Sequence, residues 1–390
     1  MSIDQQGNEE HAAHAGSPVT LQDIGNRCGV SKWTVSAALR GDPRINSNTA
    51  ARIRAAAEEL RYDPAHGAAA RRMALQKHGL QVRNNQVALF FPPFFHQGND
   101  YLLGMFRGIL DEVNAFRFGL QLAYNYDPQS DGSTAALPPS FARGEVDGAI
   151  ICGGNVSAIV TALRQCYGFR TRPVVTLMTE MPACGMVTAD YRLGAEAAAR
   201  HLLELGHRQV LCFTHPAVQS TEDIPFNRLI GVSRAFRECK LDPMAHVHTL
   251  PVPRNWIGPE SLIEIEHADH APTSDPASKM LLDYLTTHPA ITAIIAFNDP
   301  TAVHVWYTLR QAGLRVPDDY SIIGFDDTDQ VRDSYGRNLL TTVRVPLVEM
   351  GRNAATLLLR RVNEETVEDD QLILPTSLVV RESTAAPRVG

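Results

Sequence analysis

The sequence predicts an N-terminal all-α helix-turn-helix domain followed by an α/β core of two parallel-sheet subdomains. Two textures along the 390 residues predict this. Between Leu21 and Leu60 apolar residues recur at helical spacing, in a span that holds only small helices around one core. From Gln86 onward, apolar strand-like runs alternate with amphipathic helical stretches, the pattern of parallel sheets covered on both faces. That second region, roughly 300 residues, exceeds what one doubly wound sheet accommodates, so two subdomains are expected.

Residues 1–17 are polar, rich in Ala, His and Gly, and read as a disordered tail. Leu21, Ile24 and Cys28 then fall at i, i+3, i+7, Val35 and Leu39 at i, i+4, and Ile53, Ala57 and Leu60 again mark one face. Cys28-Gly29-Val30-Ser31 makes a tight turn, with Gly for a left-handed backbone and Ser to cap the next helix. Tyr62-Asp63-Pro64 ends the third helix, because Pro restricts the residue before it. The domain spans 18–63, a hinge or linker 64–85, and the core 86–387. Strand-like runs are Val87–Phe91, Leu120–Tyr124, Gly148–Cys152, Val174–Met178, Gln209–Phe213, Ala293–Phe297 and Ser321–Phe325, with helices such as Leu193–Leu205 and Thr301–Ala312 between them. Pro251–Ser278 breaks the alternation and reads as a long loop with a short helix. Subdomain one is expected over about 86–187 plus 323–345, and subdomain two over about 188–322 plus 346–387.

A content of 44% hydrophobic and 20% charged residues excludes collagen-like, fibrous and wholly disordered classes. No apolar run approaches the roughly 18 residues needed to span a bilayer. The start, MSIDQQGNEEHAAHAG, has neither basic flank nor apolar stretch and is not a secretory signal. Cysteines 28, 152, 166, 184, 212 and 239 form no CxxC pair and read as reduced core thiols, so a cytoplasmic protein is expected. The net charge of −7 is uneven: residues 18–78 carry ten Lys and Arg against five Asp and Glu. A small basic module on a large acidic one suits nucleic-acid binding joined to a separate task.

In a helix-turn-helix the second helix enters the major groove and presents its N-terminal side chains to base edges. Those positions are Lys32, Trp33, Ser36 and Ala37. Lys32 suits guanine O6 and N7. Trp33 either packs on thymine methyls or the sugar edge, or folds back on the module. Thr20, Ser31, Thr34, Asn46 and Thr49 are small donors near helix starts, suited to phosphates.

VTLQDIGNRCGVSKWTVSAALRGDPRINSNTAARIRAAAEELRYDP resembles the N-terminal module of the LacI/GalR family of bacterial transcriptional regulators. The resemblance continues in order through GEVDG at 144–148, TADYRLGAEAAARHLLELGH at 188–207, Arg228-Leu229-Ile230-Gly231 and Phe297-Asn298-Asp299. It runs on through Arg315-Val316-Pro317-Asp318, Gly324-Phe325-Asp326-Asp327, Leu340-Thr341-Thr342-Val343 and Arg381-Glu382-Ser383. It implies a periplasmic-binding-protein-like core of two subdomains joined by three crossovers, with an effector held between them. It further implies a nucleoid-associated homodimer on double-stranded DNA, reading a near-palindromic operator. The family's tetramerising form has an additional leucine-rich helix after the region matching Arg381-Glu382-Ser383, so a dimer is expected here.

Family members place a short hinge helix after the Tyr-x-Pro, ending Ala-Arg-Ser-Leu, whose Leu wedges into the minor groove. This chain departs from that pattern, reading PAHGAAARRMAL from Pro64 to Leu75. A direct count puts Arg71 at the wedge, which is wrong chemistry for unstacking bases; two extra residues bring Met73 there, Leu75 is the other choice, and the alternative is a hinge that does not intercalate at all. Arg71 and Arg72 then face phosphates or a narrow minor groove.

Effectors of open α/β sheets sit beyond the carboxyl ends of strands. Asn298 and Asp299 follow one strand there and Asp326 another, while Arg228 heads a helix over Arg228–Cys239. The resemblance implies that Arg228 and Asp326 contact the effector, and it adds Tyr101 and Thr179 on the opposite wall. A cation facing a carboxylate suits a polyhydroxylated ligand, a sugar or sugar derivative, with a purine-like or other small polar effector as the alternative. Trp256 is a further candidate for stacking on a sugar face.

His246/His248 and His267/His270 resemble metal pairs but lack a third ligand at fixed spacing. Asp326-Asp327-x-Asp329 starts like a calcium loop without its Gly and Glu. No GxGxxG, P-loop, GxSxG or HExxH occurs, so no cofactor and no enzymatic activity are expected. The expected function is a repressor whose operator affinity a small effector controls; the alternative is a sugar-binding protein without operator function.

Overall fold

The structure is a computed structural model describing residues 19–39, 42, 44–62, 83–91, 100–124, 137–214, 224–252, 276–328, 331–365 and 370–388. Arg71, Arg72, Met73 and Leu75 of the hinge, Trp256, His267, His270 and Asp329 lie outside the described residues. The chain divides into two units, Met1–Arg83 and Asn84–Gly390.

In the first unit α1 (Leu21–Cys28), α2 (Lys32–Leu39) and α3 (Ser47–Glu59) enclose a core of Ile24, Val35, Ala38, Ile53, Ala56 and Ala57. Each start is capped by the residue the sequence supplies for it. Thr20 and Asp23 form a capping box on α1. The Ser31 hydroxyl accepts from Thr34 N at 3.2 Å, and Asn46 accepts from Asn48 N at 2.9 Å. Gly29, at φ 62°, makes the left-handed turn that stops α1.

The second unit holds, in chain order, β1 (Gln86–Phe91), α4 (Asp100–Ala115), β2 (Gly119–Tyr124), α5 (Pro139–Ala142), β3 (Gly148–Cys152), α6 (Val156–Gln165), β4 (Val174–Leu177), β5 (Gly185–Ala189) and α7 (Tyr191–Leu205). There follow β6 (Val210–Thr214), α8 (Ile224–Glu238), α9 (Pro243–His246), β7 (Val247–Pro251), α10 (Pro276–Thr287), β8 (Ala293–Ile295) and α11 (Asp299–Gln311). The last elements are β9 (Ser321–Asp326), β10 (Thr341–Arg344), α12 (Leu347–Val362), β11 (Gln371–Leu374) and β12 (Ser377–Val379). One sheet has the order β11-β5-β4-β3-β1-β2 and is parallel throughout. The other, β12-β10-β9-β8-β6-β7, is parallel except for β12.

The chain crosses between sheets three times: from β5 into α7, from β10 into α12, and from β11 to β12. This corrects the expected division of the later residues. Stretch 323–345 belongs with the second sheet, because β10 pairs with β9 from Thr341↔Ile323 to Arg344↔Asp326. Helix α12 and β11, expected in subdomain two, belong with the first sheet: α12 packs on β3, β4 and β5, and β11 pairs with β5. Where α4 and α12 cross, their backbones touch. A Cβ on Gly108 would stand 2.0 Å from the Val348 carbonyl oxygen, and one on Gly351 2.0 Å from that of Met105.

The cysteines are free. Burial is the cause that pushes the thiols of Cys152 and Cys212 up to about 12. Cys239 is exposed, so it is not the core thiol expected of it. No helix among the described residues is long and apolar enough to cross a membrane, and no group of three or more His, Cys, Asp or Glu among them could hold a metal ion.

Candidate functional site

Two places in the fold gather chemistry that packing alone does not require. The first is the start of α2. Lys32 is exposed and Trp33 is 75% exposed, so Trp33 does not fold back on its module. A large aromatic ring in water beside a lysine, one residue into a helix, gains nothing from folding and is available to a partner. Ser36 and Ala37, a turn further on, are half-buried. The expected phosphate donors have local duties as well. The Thr20 hydroxyl donates to Asp23 at 2.7 Å, Ser31 and Thr34 share a hydrogen bond of 2.9 Å, and Asn46 caps α3. Thr49 is half-buried on the first turn of α3.

The second is a cleft at the carboxyl ends of both sheets, centred on Arg228. Helix α8 begins at Ile224, so Arg228 is its fifth residue and does not head it; Pro225 fits the first turn, where its missing N–H costs no hydrogen bond. The Arg228 guanidinium donates to the Phe297 carbonyl and, at 3.3 Å, to Asp326 Oδ1. It lies 3.7 Å from the centroid of the Phe325 ring, 5.1 Å from that of Phe297 and 5.2 Å from that of Tyr191. An arginine is suited to such a box, since its weakly hydrated plane stacks on rings while its edges donate. Its Nε is buried and has no hydrogen-bond partner among the described residues, which leaves a donor for a ligand. Phe213, Thr214, Phe297 and Phe325 line the adjoining cavity, which measures about 350 Å³ out to its mouth.

Asp326 is buried at the end of β9, in a turn that no ordinary strand would make. Its φ is 104° and that of Asp327 is 58°, both in the region that favours glycine. Four contacts hold the turn. The amide of Thr328 donates to Asp299 Oδ2 at 2.8 Å. Asp327 accepts from Arg344 at 2.7 Å and from Arg381 at 2.8 Å. The Asp326 carbonyl accepts from Val345 N at 3.4 Å. Asp299 itself is fully buried and takes the Thr342 hydroxyl at 2.5 Å. Only glycine fits at 324, where a Cβ would stand 2.2 Å from Asp299 Oδ1.

The other expected site residues divide. Tyr101, at the start of α4, reaches the cleft through its hydroxyl, 2.7 Å from that of Tyr191 and 2.9 Å from Met178 Sδ. Asn298 caps α11, its Oδ1 accepting from Thr301 N at 3.0 Å and from the Thr301 hydroxyl at 2.7 Å, so that oxygen is committed. Thr179 is exposed beyond β4, and its described bond is a carbonyl accepting from Thr176. Sequence reading missed Tyr191 as a cleft residue, and gave Asp299 and Asp327 no bracing role.

Similarity to known proteins follows both sites. The model for bacterial regulatory proteins of the lacI family matches residues 20–65, and that for a periplasmic binding protein-like domain matches 199–384. The HTH-type transcriptional regulator DegA of Bacillus subtilis (strain 168) is 28% identical over 369 residues, 94% of this chain and 98% of that protein. Catabolite control protein A of Priestia megaterium is 28% identical over 373 residues, covering 94% and 99% respectively. Among solved structures, the complex of transcriptional regulator CelR with cellobiose is 24% identical, with TM-score 0.59, over 94% of this chain and 99% of that one. The lac repressor dimer bound to operator and the anti-inducer ONPF is 21% identical, with TM-score 0.66, over 95% and 100%. A LacI-family regulator from Enterococcus faecium with bound ribose is 26% identical, with TM-score 0.59, over 77% and 99%.

Proposed function

We propose how a chain that belongs to the LacI family of bacterial regulatory proteins performs its regulation: it is a repressor whose grip on an operator is set by a small polar effector between two lobes. The observation that carries this is the union, on one polypeptide, of that family's DNA-binding domain with a core whose cleft presents Arg228 and Asp326. The DNA-binding domain is residues 18–63, the hinge 64–85 and the effector core 86–387. Two copies pair about a two-fold axis, as in the lac repressor dimer, and present two copies of α2 to half-sites about one DNA turn apart. Lys32, Trp33, Ser36 and Ala37 read bases. Thr20, Ser31, Thr34, Asn46 and Thr49 position the helices on phosphates, and Arg71, Arg72 and Met73 engage the minor groove.

The effector is a sugar or sugar derivative, held by Arg228, Asp326 and Tyr101, with the amide of Asn298 and Thr179 at the walls. Relatives solved with cellobiose and with ribose support that chemistry. Binding closes the cleft, and the ligand's preference for one lobe arrangement becomes a change in operator affinity. The chain acts in the cytoplasm, associated with the nucleoid, and catalyses no reaction; the curated relatives named above are regulators.

The test is fluorescence anisotropy on a DNA duplex recovered by selection, titrated with and without aldopentoses, aldohexoses and cellobiose. The wild type should bind the duplex, and one sugar should shift its affinity. Arg228→Ala and Asp326→Asn should bind DNA as the wild type does and lose the shift. A variant that keeps the shift at wild-type sugar concentration refutes the cleft.

A further inference from the structure

We propose that Tyr101 and Tyr191 are a positioning pair that fixes Arg228 from across the cleft; the inference deepens the effector reading above and rests on it. Tyr191 opens α7, the helix that packs on the second sheet against β8, β10 and β12. Tyr101 lies on the first turn of α4, beside the first sheet. The hydroxyl contact of 2.7 Å therefore bridges side chains from the two lobes. Met178, just past β4 of the first sheet, takes the Tyr101 hydroxyl at 2.9 Å and anchors that end. At the other end the Tyr191 ring is 3% exposed. It stacks on Phe325 with centroids 6.2 Å apart and planes at 27°, and both rings face the Arg228 guanidinium. Met178, Tyr101, Tyr191 and Arg228 thus make one contact chain from the first lobe to the effector arginine.

The chemistry of each link matters. Burial, the largest cause for both, pushes the two phenols above their ordinary value, so both stay protonated and one donates to the other. The bond fixes the Tyr191 ring about its axis and keeps it against Phe325. With Tyr191 fixed, the guanidinium has one place where rings, the Phe297 carbonyl and Asp326 are all satisfied. Separating the lobes breaks the hydroxyl bond, because it is the link of this chain that joins side chains from the two lobes. The Tyr191 ring stays beside Arg228 on the second lobe but is no longer fixed about its axis. The pair therefore ties the placement of the arginine to the lobe arrangement, before any ligand arrives.

The test needs no effector. In the full-length chain labelled with ¹⁵N-arginine, the Arg228 Nε–H resonance is assigned by its loss in Arg228→Lys, and its exchange with solvent is measured. Tyr101→Phe and Tyr191→Phe each remove the hydroxyl bond the two share, so each should speed that exchange by about fivefold, the weight of that bond; the contact to Met178 that Tyr101→Phe also loses does not touch Tyr191 or Arg228. The double variant should match the single ones, since they share the bond. Tyr191→Leu, which also removes the ring, should speed exchange further and shift the resonance; near-UV circular dichroism establishes that each variant is folded. Exchange within about twofold of wild type in both Phe variants overturns the proposal. So does a double variant whose effect is the product of the single ones. Because neither operator nor sugar enters this measurement, its outcome is independent of the anisotropy test above: a fixed Arg228 in a chain that answers no sugar would sink the effector reading alone.

Discussion

Asp299 offers the sharpest check on how the effector turn is built. It is fully buried and accepts from the Thr342 hydroxyl at 2.5 Å and from the Thr328 amide at 2.8 Å. Asp299→Ala removes both bonds and leaves the Thr342 hydroxyl, itself fully buried, without this acceptor. Hydrogen bonds to a charged acceptor are worth about 1.5–3 kcal/mol each, so the loss should be about 3–6 kcal/mol. Asp299→Asn has the same shape. Its remaining oxygen accepts from Thr328 N while its amide donates to the Thr342 hydroxyl, so only the charge is lost and the expected cost is about 1–2 kcal/mol. Urea denaturation of the full-length chain, followed by far-UV circular dichroism, reads both values from the core transition. If Asp299→Ala costs less than about 1 kcal/mol, or no more than Asp299→Asn, this carboxylate does not brace the turn.

The remaining predictions address other links. Lys32→Ala should weaken binding to the selected duplex by about 1–3 kcal/mol, and Trp33→Ala should weaken it too; neither should move the melting temperature, because both side chains stand in solvent. Arg228→Leu takes the guanidinium away from the buried Asp326 carboxylate, at a cost of about 3–5 kcal/mol, and adding Asp326→Asn, which removes the charge and tolerates the positive φ, should restore part of the lost stability; a double variant less stable than the single one would refute the pairing. Gly108→Ala forces a Cβ to within 2.0 Å of the Val348 oxygen, so it should destabilise the core by about 1–3 kcal/mol despite the better helix propensity of Ala. His207, His201 and His248 are each held below the ordinary value of 6.5, mainly by burial. Below pH 6.5 the unfolded chain takes up protons that these folded histidines refuse, so their contribution is intact above that pH and fades as pH falls toward their lowered values. The melting temperature should fall on acidification, and His207→Gln should flatten that fall.

Continuous apolar runs made seven strands legible, β1, β2, β3, β4, β6, β8 and β9, mostly to within a residue or two. Those missed have physical reasons. β7, β11 and β12 are edge strands whose residues are exposed or half-buried, and none carries more than three apolar residues in a row. β5 and β10 are buried but short, and they carry threonines that read as turn or loop. Missing β5 also hid the start of α7, and with it Tyr191. The resemblance brought Arg228 and Asp326 forward as candidates, because their strings are distinctive. What Asp299 does was not legible, since its partners Thr328 and Thr342 are 29 and 43 residues away. Polar residues at a strand end look alike in sequence, whether they face a ligand or brace the turn beside it.

The central claim, a two-fold regulator that reads DNA through α2, is tested most directly by selecting bound duplexes from a random DNA pool with the full-length chain. The account predicts a near-palindromic consensus that Lys32→Ala and Trp33→Ala fail to enrich. Enrichment of a single asymmetric site, or of the same palindrome by both variants, would contradict it.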